Sequence, residues 1–128
     1  MKLVYFISPV GSDPNYDKKR QALDSIAQEL KVEFFFPLER HDSFSVNTAT
    51  DDLHAAWLII ADLSLERPSC YFEVGLAQGI GKPVAFIAAI GTSIHQAGGT
   101  ANLLSYNDTS GYRKAIRQII LRRQQSAS

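Results

Sequence analysis

Cysteine is nearly absent from this sequence: Cys70 stands alone among 128 residues. No intramolecular disulfide can form, and the paired-cysteine patterns that hold structural zinc are missing. Neither sign of charge is in excess, because 13 Lys+Arg are matched by 13 Asp+Glu. That balance removes the whole-protein field that would draw nucleic acid or an anionic membrane surface, so neither is an expected partner. Long apolar runs are also lacking. The opening residues carry one lysine and a short apolar stretch that breaks at Ser8-Pro9. This is too short for a membrane span and lacks a signal peptide's cleavage region, so the expected location is cytoplasmic. The histidines His41, His54 and His95 have no metal-ligand spacing, and no metal or redox cofactor is expected.

What is present is globular material, 45% hydrophobic and 20% charged, which suits one domain with one core over residues 1–128. Apolar, β-rich runs at residues 3–7, 32–36, 57–61 and 84–90, with a weaker one at 102–106, predict five strands. Helical periodicity predicts helices over 16–30, 50–56, 69–80 and 109–123. In the first, Leu23, Ile26, Ala27 and Leu30 share a face, and Lys18, Lys19 and Arg20 fall off it. Ser69 reads as an N-cap and Gly81 as the matching C-terminal stop before Pro83. Residues 39–48 read as polar and irregular, 91–100 as a Gly-rich loop and 124–128 as a frayed tail.

Strand and helix periods alternate along the whole chain. Right-handed crossovers then give a three-layer α/β/α domain around a five-stranded parallel sheet, a Rossmann-like arrangement. The flavodoxin-like order 2-1-3-4-5 is predicted, with ligands at the carboxyl ends of the strands near the split between the first and third. That rule points to residues 8–12, 62–73 and 90–99.

Glu73 falls in this zone. With Ser69 as N-cap it would sit in the first turn of its helix, where the dipole favours an ionised carboxylate. Such a group suits a nucleophile, or a stabiliser of oxocarbenium-like charge, better than a general acid. Complementing the dipole alone would explain it equally well. Asp62, at the end of the third strand, could match a phosphoacceptor aspartate. The acidic pair after the first strand and the lysine after the fifth that this would require are absent. A flavin-phosphate loop is not matched by Ser8-Pro9-Val10-Gly11-Ser12. Cys70 reads as a small packing residue and the basic last helix as a solvated face.

The segments Ala61-Asp62-Leu63-Ser64, Arg67-Pro68-Ser69-Cys70-Tyr71-Phe72-Glu73-Val74-Gly75 and Gly81-Lys82-Pro83-Val84 occur in that order. Together with Tyr5-Phe6-Ile7-Ser8-Pro9-Val10-Gly11, they resemble the nucleoside 2-deoxyribosyltransferase-like superfamily. The resemblance implies cleavage or transfer at an N-glycosidic bond of a nucleoside or nucleoside 5′-monophosphate. Glu73 falls at the family's nucleophile and Tyr5 at its pocket tyrosine. Ser8, Gly11, Asp62, Ser64, Arg67 and Gly75 are the expected ligand-binding positions. The resemblance also implies a homo-oligomer, because family sites are often completed by a neighbouring subunit.

Two departures stand out. Ala49 occupies the position where the resemblance places a carboxylic acid, and Asp51 and Asp52 follow two and three residues later as candidates for that role. Arg67 replaces a small or acidic pocket residue, which favours phosphate or another anion. A nucleotide-binding module without chemistry and an NAD-cleaving glycohydrolase therefore stand as alternatives.

Overall fold

Five runs of Val, Ile, Leu, Phe and Ala become five parallel strands in a computed structural model that describes residues 1–39, 45–95 and 97–126. The strands are β1 (Lys2–Ile7), β2 (Val32–Phe35), β3 (Leu58–Asp62), β4 (Ala85–Ala89) and β5 (Leu104–Tyr106), in the predicted order β2-β1-β3-β4-β5. Tyr5 pairs with Ile59 and Ala61 with Phe86, so the strands end together at one carboxyl edge.

The four helices are α1 (Tyr16–Leu30), α2 (Val46–Ala55), α3 (Pro68–Gly79) and α4 (Thr109–Ser126). Period-two alternation divides the core into two layers. Val4, Phe6 and Ile60 face α1 and α4, where they meet Leu23, Ile26, Ile116 and Ile120. Tyr5, Ile7 and Ile59 face α2 and α3, where they meet Leu53, Val74 and Ala77. Each such fully buried aliphatic side chain contributes roughly 1.5–3 kcal/mol. Phe6, Phe34, Phe36 and Tyr112 add an aromatic cluster on the first of these faces.

Several boundaries differ from the sequence-based expectation. The α3 helix begins at Pro68, with Arg67 as its N-cap residue, because proline is preset for the first helical position. The α2 helix starts four residues earlier than its apolar pattern suggests. Ser45 caps it by accepting the Thr48 amide at 3.3 Å. The β4–β5 crossover holds only a short 3-10 turn, Thr100–Asn102, where strict alternation called for a helix. The α4 helix runs on through Ser126, tied back by the Gln124 side chain to the Leu30 carbonyl at 3.3 Å, so residues 124–126 are not frayed. Lys19 lies on the buried face of α1, only 8% exposed. Residues 40–44, within the stretch expected to be irregular, and the end of the tail at 127–128 lie outside the described residues. Among the described residues no helix is long and apolar enough to cross a membrane.

Candidate functional site

Every βα loop of a parallel sheet opens at the carboxyl edge. Where the connections part to opposite faces, between β1 and β3, a crevice is left between the loops. A cleft of about 490 Å³ occupies this place, lined by Pro9, Val10, Gly11, Ser12, Leu38, Arg67 and Ser69. Among the described residues its only charged lining side chain is the exposed Arg67, whose guanidinium makes no hydrogen bond or ion pair with any of them. The Leu38 wall is fixed through its neighbour. Glu39 accepts from Arg20 Nε at 2.8 Å and from the Tyr16 hydroxyl, while Arg20 lies 3.7 Å over the Phe36 ring.

One turn along α3 from Ser69, on the same helix face, is Glu73. It is 2% exposed, and Tyr5, fully buried on β1, donates its hydroxyl to Glu73 Oε2 at 2.7 Å. The pair is 68 residues apart in sequence and joins the first strand to the third helix. Because α3 begins at Pro68, Glu73 lies in the second turn, where the dipole's influence has faded. Burial pushes the neighbouring Cys70 thiol up to about 12, with the Asp62 carboxylate adding to the effect. Cys70 is accordingly a neutral packing group.

The other expected positions separate into groups. Ser8 follows directly on β1 and is 5% exposed, and Gly11 lines the cleft. Gly75 lies on the exposed side of α3, where an added Cβ would meet nothing within 4 Å, and it does not line the cleft. The α2 helix runs antiparallel to the strands, so its first turns are nearest the carboxyl edge. Ala49 is buried there, while Asp51 is exposed and Asp52 half-buried further along. Neither aspartate lines the cleft.

Asp62 and Ser64 face the opposite layer. Asp62 has no exposure; it accepts the Ser64 amide at 3.0 Å and the Tyr106 hydroxyl at 2.8 Å, with Lys19 Nζ at 3.5 Å. Lys19 also donates to Tyr106 at 2.8 Å and to Asp13 at 2.5 Å. Burial alone would lower the Lys19 ammonium. The Asp62 carboxylate, with Asp13 and Tyr106, outweighs it and holds the group above the ordinary lysine range. Lys19 and Tyr106 escaped sequence reasoning. The signal was a cation at the i−4 and i−7 positions of Leu23 and Ile26, on the apolar stripe itself. A further cleft of about 620 Å³ lies at the amino ends of β3, β4 and β5 around Trp57, Val84 and Leu104, away from these groups. Among the described residues no cluster of His, Cys, Asp and Glu could hold a metal ion.

No family model and no curated protein matches the chain. Solved structures do. A 2-deoxyribosyltransferase of Leishmania mexicana matches at TM-score 0.55 and 25% identity, over 69% of this chain and 65% of that one. The match thus spans just under two thirds of the Leishmania chain's length. A CMP N-glycosidase of Clostridium botulinum matches at TM-score 0.62 and 17% identity, over 90% of this chain and 98% of that one. The fold is that of the nucleoside 2-deoxyribosyltransferase-like superfamily. A 2-deoxyribosyltransferase of Bacillus psychrosaccharolyticus also has this superfamily fold, at TM-score 0.58 and 20% identity over 87% and 90% of the two chains. Within the superfamily fold, the segments that carried the sequence resemblance fall at the ends of β1 and β3 and on α3, around the Tyr5–Glu73 pair.

Proposed function

We propose that the chain cleaves or transfers the N-glycosidic bond of a nucleoside or nucleoside 5′-monophosphate, with Glu73 as the nucleophile. The observation that carries this reading is the buried hydrogen bond from Tyr5 to Glu73, one helical turn below a cleft at the β1/β3 split. Tyr5 fixes the orientation of the carboxylate, which matters because displacement at carbon requires an aligned approach. A Glu73 oxygen attacks the anomeric carbon, and the carbon–nitrogen bond breaks with its electron pair leaving on the base. The base takes a proton from solvent or from an acid. Water then attacks the glycosyl ester, freeing the sugar and restoring the carboxylate; a second base in place of water completes a transfer.

The relatives named for deoxyribosyl transfer and for CMP N-glycoside cleavage support the reaction class. Arg67 supports an anionic substrate. Among the described residues it is the one charge lining the cleft, with the Ser12 and Ser69 hydroxyls beside it. One helical turn, ~5.4 Å, separates Ser69 from Glu73, comparable to the span from an anomeric carbon to a 5′-phosphate.

A chromatographic assay with nucleosides, 5′-monophosphates and NAD tests the proposal. Base release by the wild type, lost in Glu73→Gln, is the expected result. Equal rates in the two proteins overturn the assignment of Glu73. The buried Ala49, where an acid was expected, favours a second reading, a nucleotide-binding module without turnover. Saturable binding by calorimetry with no product from any member of the panel would select it.

A further inference from the structure

The loop from β3 to α3 contains two adjacent non-glycine residues in the left-handed region, Leu65 at φ 68° and Glu66 at φ 51°. Each costs roughly 1–2 kcal/mol, and such a turn persists only where its surroundings over-determine it. The residue before it is held on several sides. The Leu63 amide donates to the Ile87 carbonyl at 3.0 Å and the Ser64 amide to Asp62 Oδ1. The Ala89 amide donates to Ser64 Oγ at 2.8 Å, and Ser64 Oγ lies 2.9 Å from the Tyr106 hydroxyl.

Hydrogen counting fixes the direction of these bonds. Tyr106 has one proton, which goes to Asp62 Oδ2, and Lys19 donates to its oxygen. Ser64 must therefore donate to Tyr106. A single directed chain runs from the Ala89 amide through Ser64 and Tyr106 to Asp62, with Lys19 neutralising its end. On the far side of the turn, Glu66 Oε1 meets His95 Nε2 at 2.7 Å, and Arg67 and α3 follow at once.

We propose that Lys19 and Tyr106 are positioning residues for Arg67 and Glu73. They sit on the α1/α4 face and touch neither residue. They act through Asp62 and Ser64 to hold the Leu65–Glu66 turn left-handed, and the turn aims the start of α3 at the cleft. This inference rests on the proposed function for its kinetic readout but not for its structural one.

The test compares the wild type, Tyr106→Phe, and Tyr106→Phe combined with either Leu65→Gly or Lys31→Gly. Glycine adopts positive φ without a steric penalty. Lys31, at φ 58° after α1, offers the same relief remote from the turn. Tyr106→Phe should lower kcat for base release by ~10–100-fold, the scale of a small misplacement of reacting groups, with KM less affected. Leu65→Gly should restore most of it and Lys31→Gly should not. Undiminished kcat in Tyr106→Phe, or equal rescue by the two glycines, overturns the proposal. If the wild type releases no base, amide exchange decides instead. Faster exchange over residues 64–67 in Tyr106→Phe, reversed by Leu65→Gly alone, supports the positioning role, and unchanged exchange there overturns it.

Discussion

On the α1/α4 face of the carboxyl edge, Asp13, Lys19, Asp62, Ser64 and Tyr106 bond chiefly to one another. On the α2/α3 face, one charged group, Glu73, is held by a strand tyrosine, and another, Arg67, stands in a cleft without an ion pair among the described residues. Both faces hold a buried carboxylate on the strand–loop–helix unit of β3 and α3. Clefts open beside both: Lys19, Ser64 and Tyr106, the partners of Asp62, line one of about 360 Å³, and the unpaired Arg67 lines the one above Glu73. A buried ion pair with its hydrogen bonds complete resists change, because removing either partner strands the other. An open cleft that presents a cation above a carboxylate is arranged for an incoming molecule to complete. The same stretch, residues 62–73, thus carries an anchor at one end and the proposed reacting group at the other.

Substitutions at the two carboxylates should dissociate activity from stability. Glu73→Gln should lower base release by more than about 10³-fold, the loss usual for a missing nucleophile. Its urea midpoint should stay close to wild type, since the amide oxygen still accepts from Tyr5. Asp62→Ala should do the reverse and cost roughly 3–5 kcal/mol in urea unfolding, leaving a buried ammonium with Asp13 as its remaining carboxylate partner. A Glu73→Gln protein that unfolds as readily as Asp62→Ala would erase the distinction between the faces.

Arg67→Ala sharpens the comparison on the cleft side. KM for 5′-monophosphates should rise by roughly 10–100-fold and that for unphosphorylated nucleosides should hardly move, as expected for loss of a charge-assisted contact. The remaining effect is alkaline. Burial raises Cys70 from 9.0, and burial with Asp62 raises Tyr106 from 10.0, each to about 12. The unfolded chain therefore ionises first. The stability from these groups is complete below pH 9.0 and falls as pH rises towards about 12, by up to ~1.4 kcal/mol per pH unit for each group. Urea midpoints between those pH values measure it, and Cys70→Ala should shallow the decline.

Strand order was readable from the sequence because continuous apolar runs mark strands buried on both faces, and short crossovers leave few topologies. Glu73 and Tyr5 stand at the positions that the resemblance marks, and a hydrogen bond joins them. The start of α3 was misplaced because Ser69 is a good cap, yet Pro68 is better suited to the first helical position. Asp62 and Ser64 were expected at the ligand. Their side chains turn to the other face, where Lys19 and Tyr106, 43 and 44 residues from Asp62 in sequence, complete the bonding. Contacts of that kind leave no local pattern. Lys19 alone had a mark, a charge set within an apolar stripe.

The central claim is that Glu73 becomes covalently bonded to the sugar. The most direct measurement is peptide mass spectrometry after acid quench, using a 2′-fluoro analogue of the best substrate in the panel so that hydrolysis of the ester is slowed. The account predicts a mass increase equal to the glycosyl group on the peptide containing Glu73, absent from Glu73→Gln. Base release from the analogue with no adduct, or with an adduct on another residue, would contradict it.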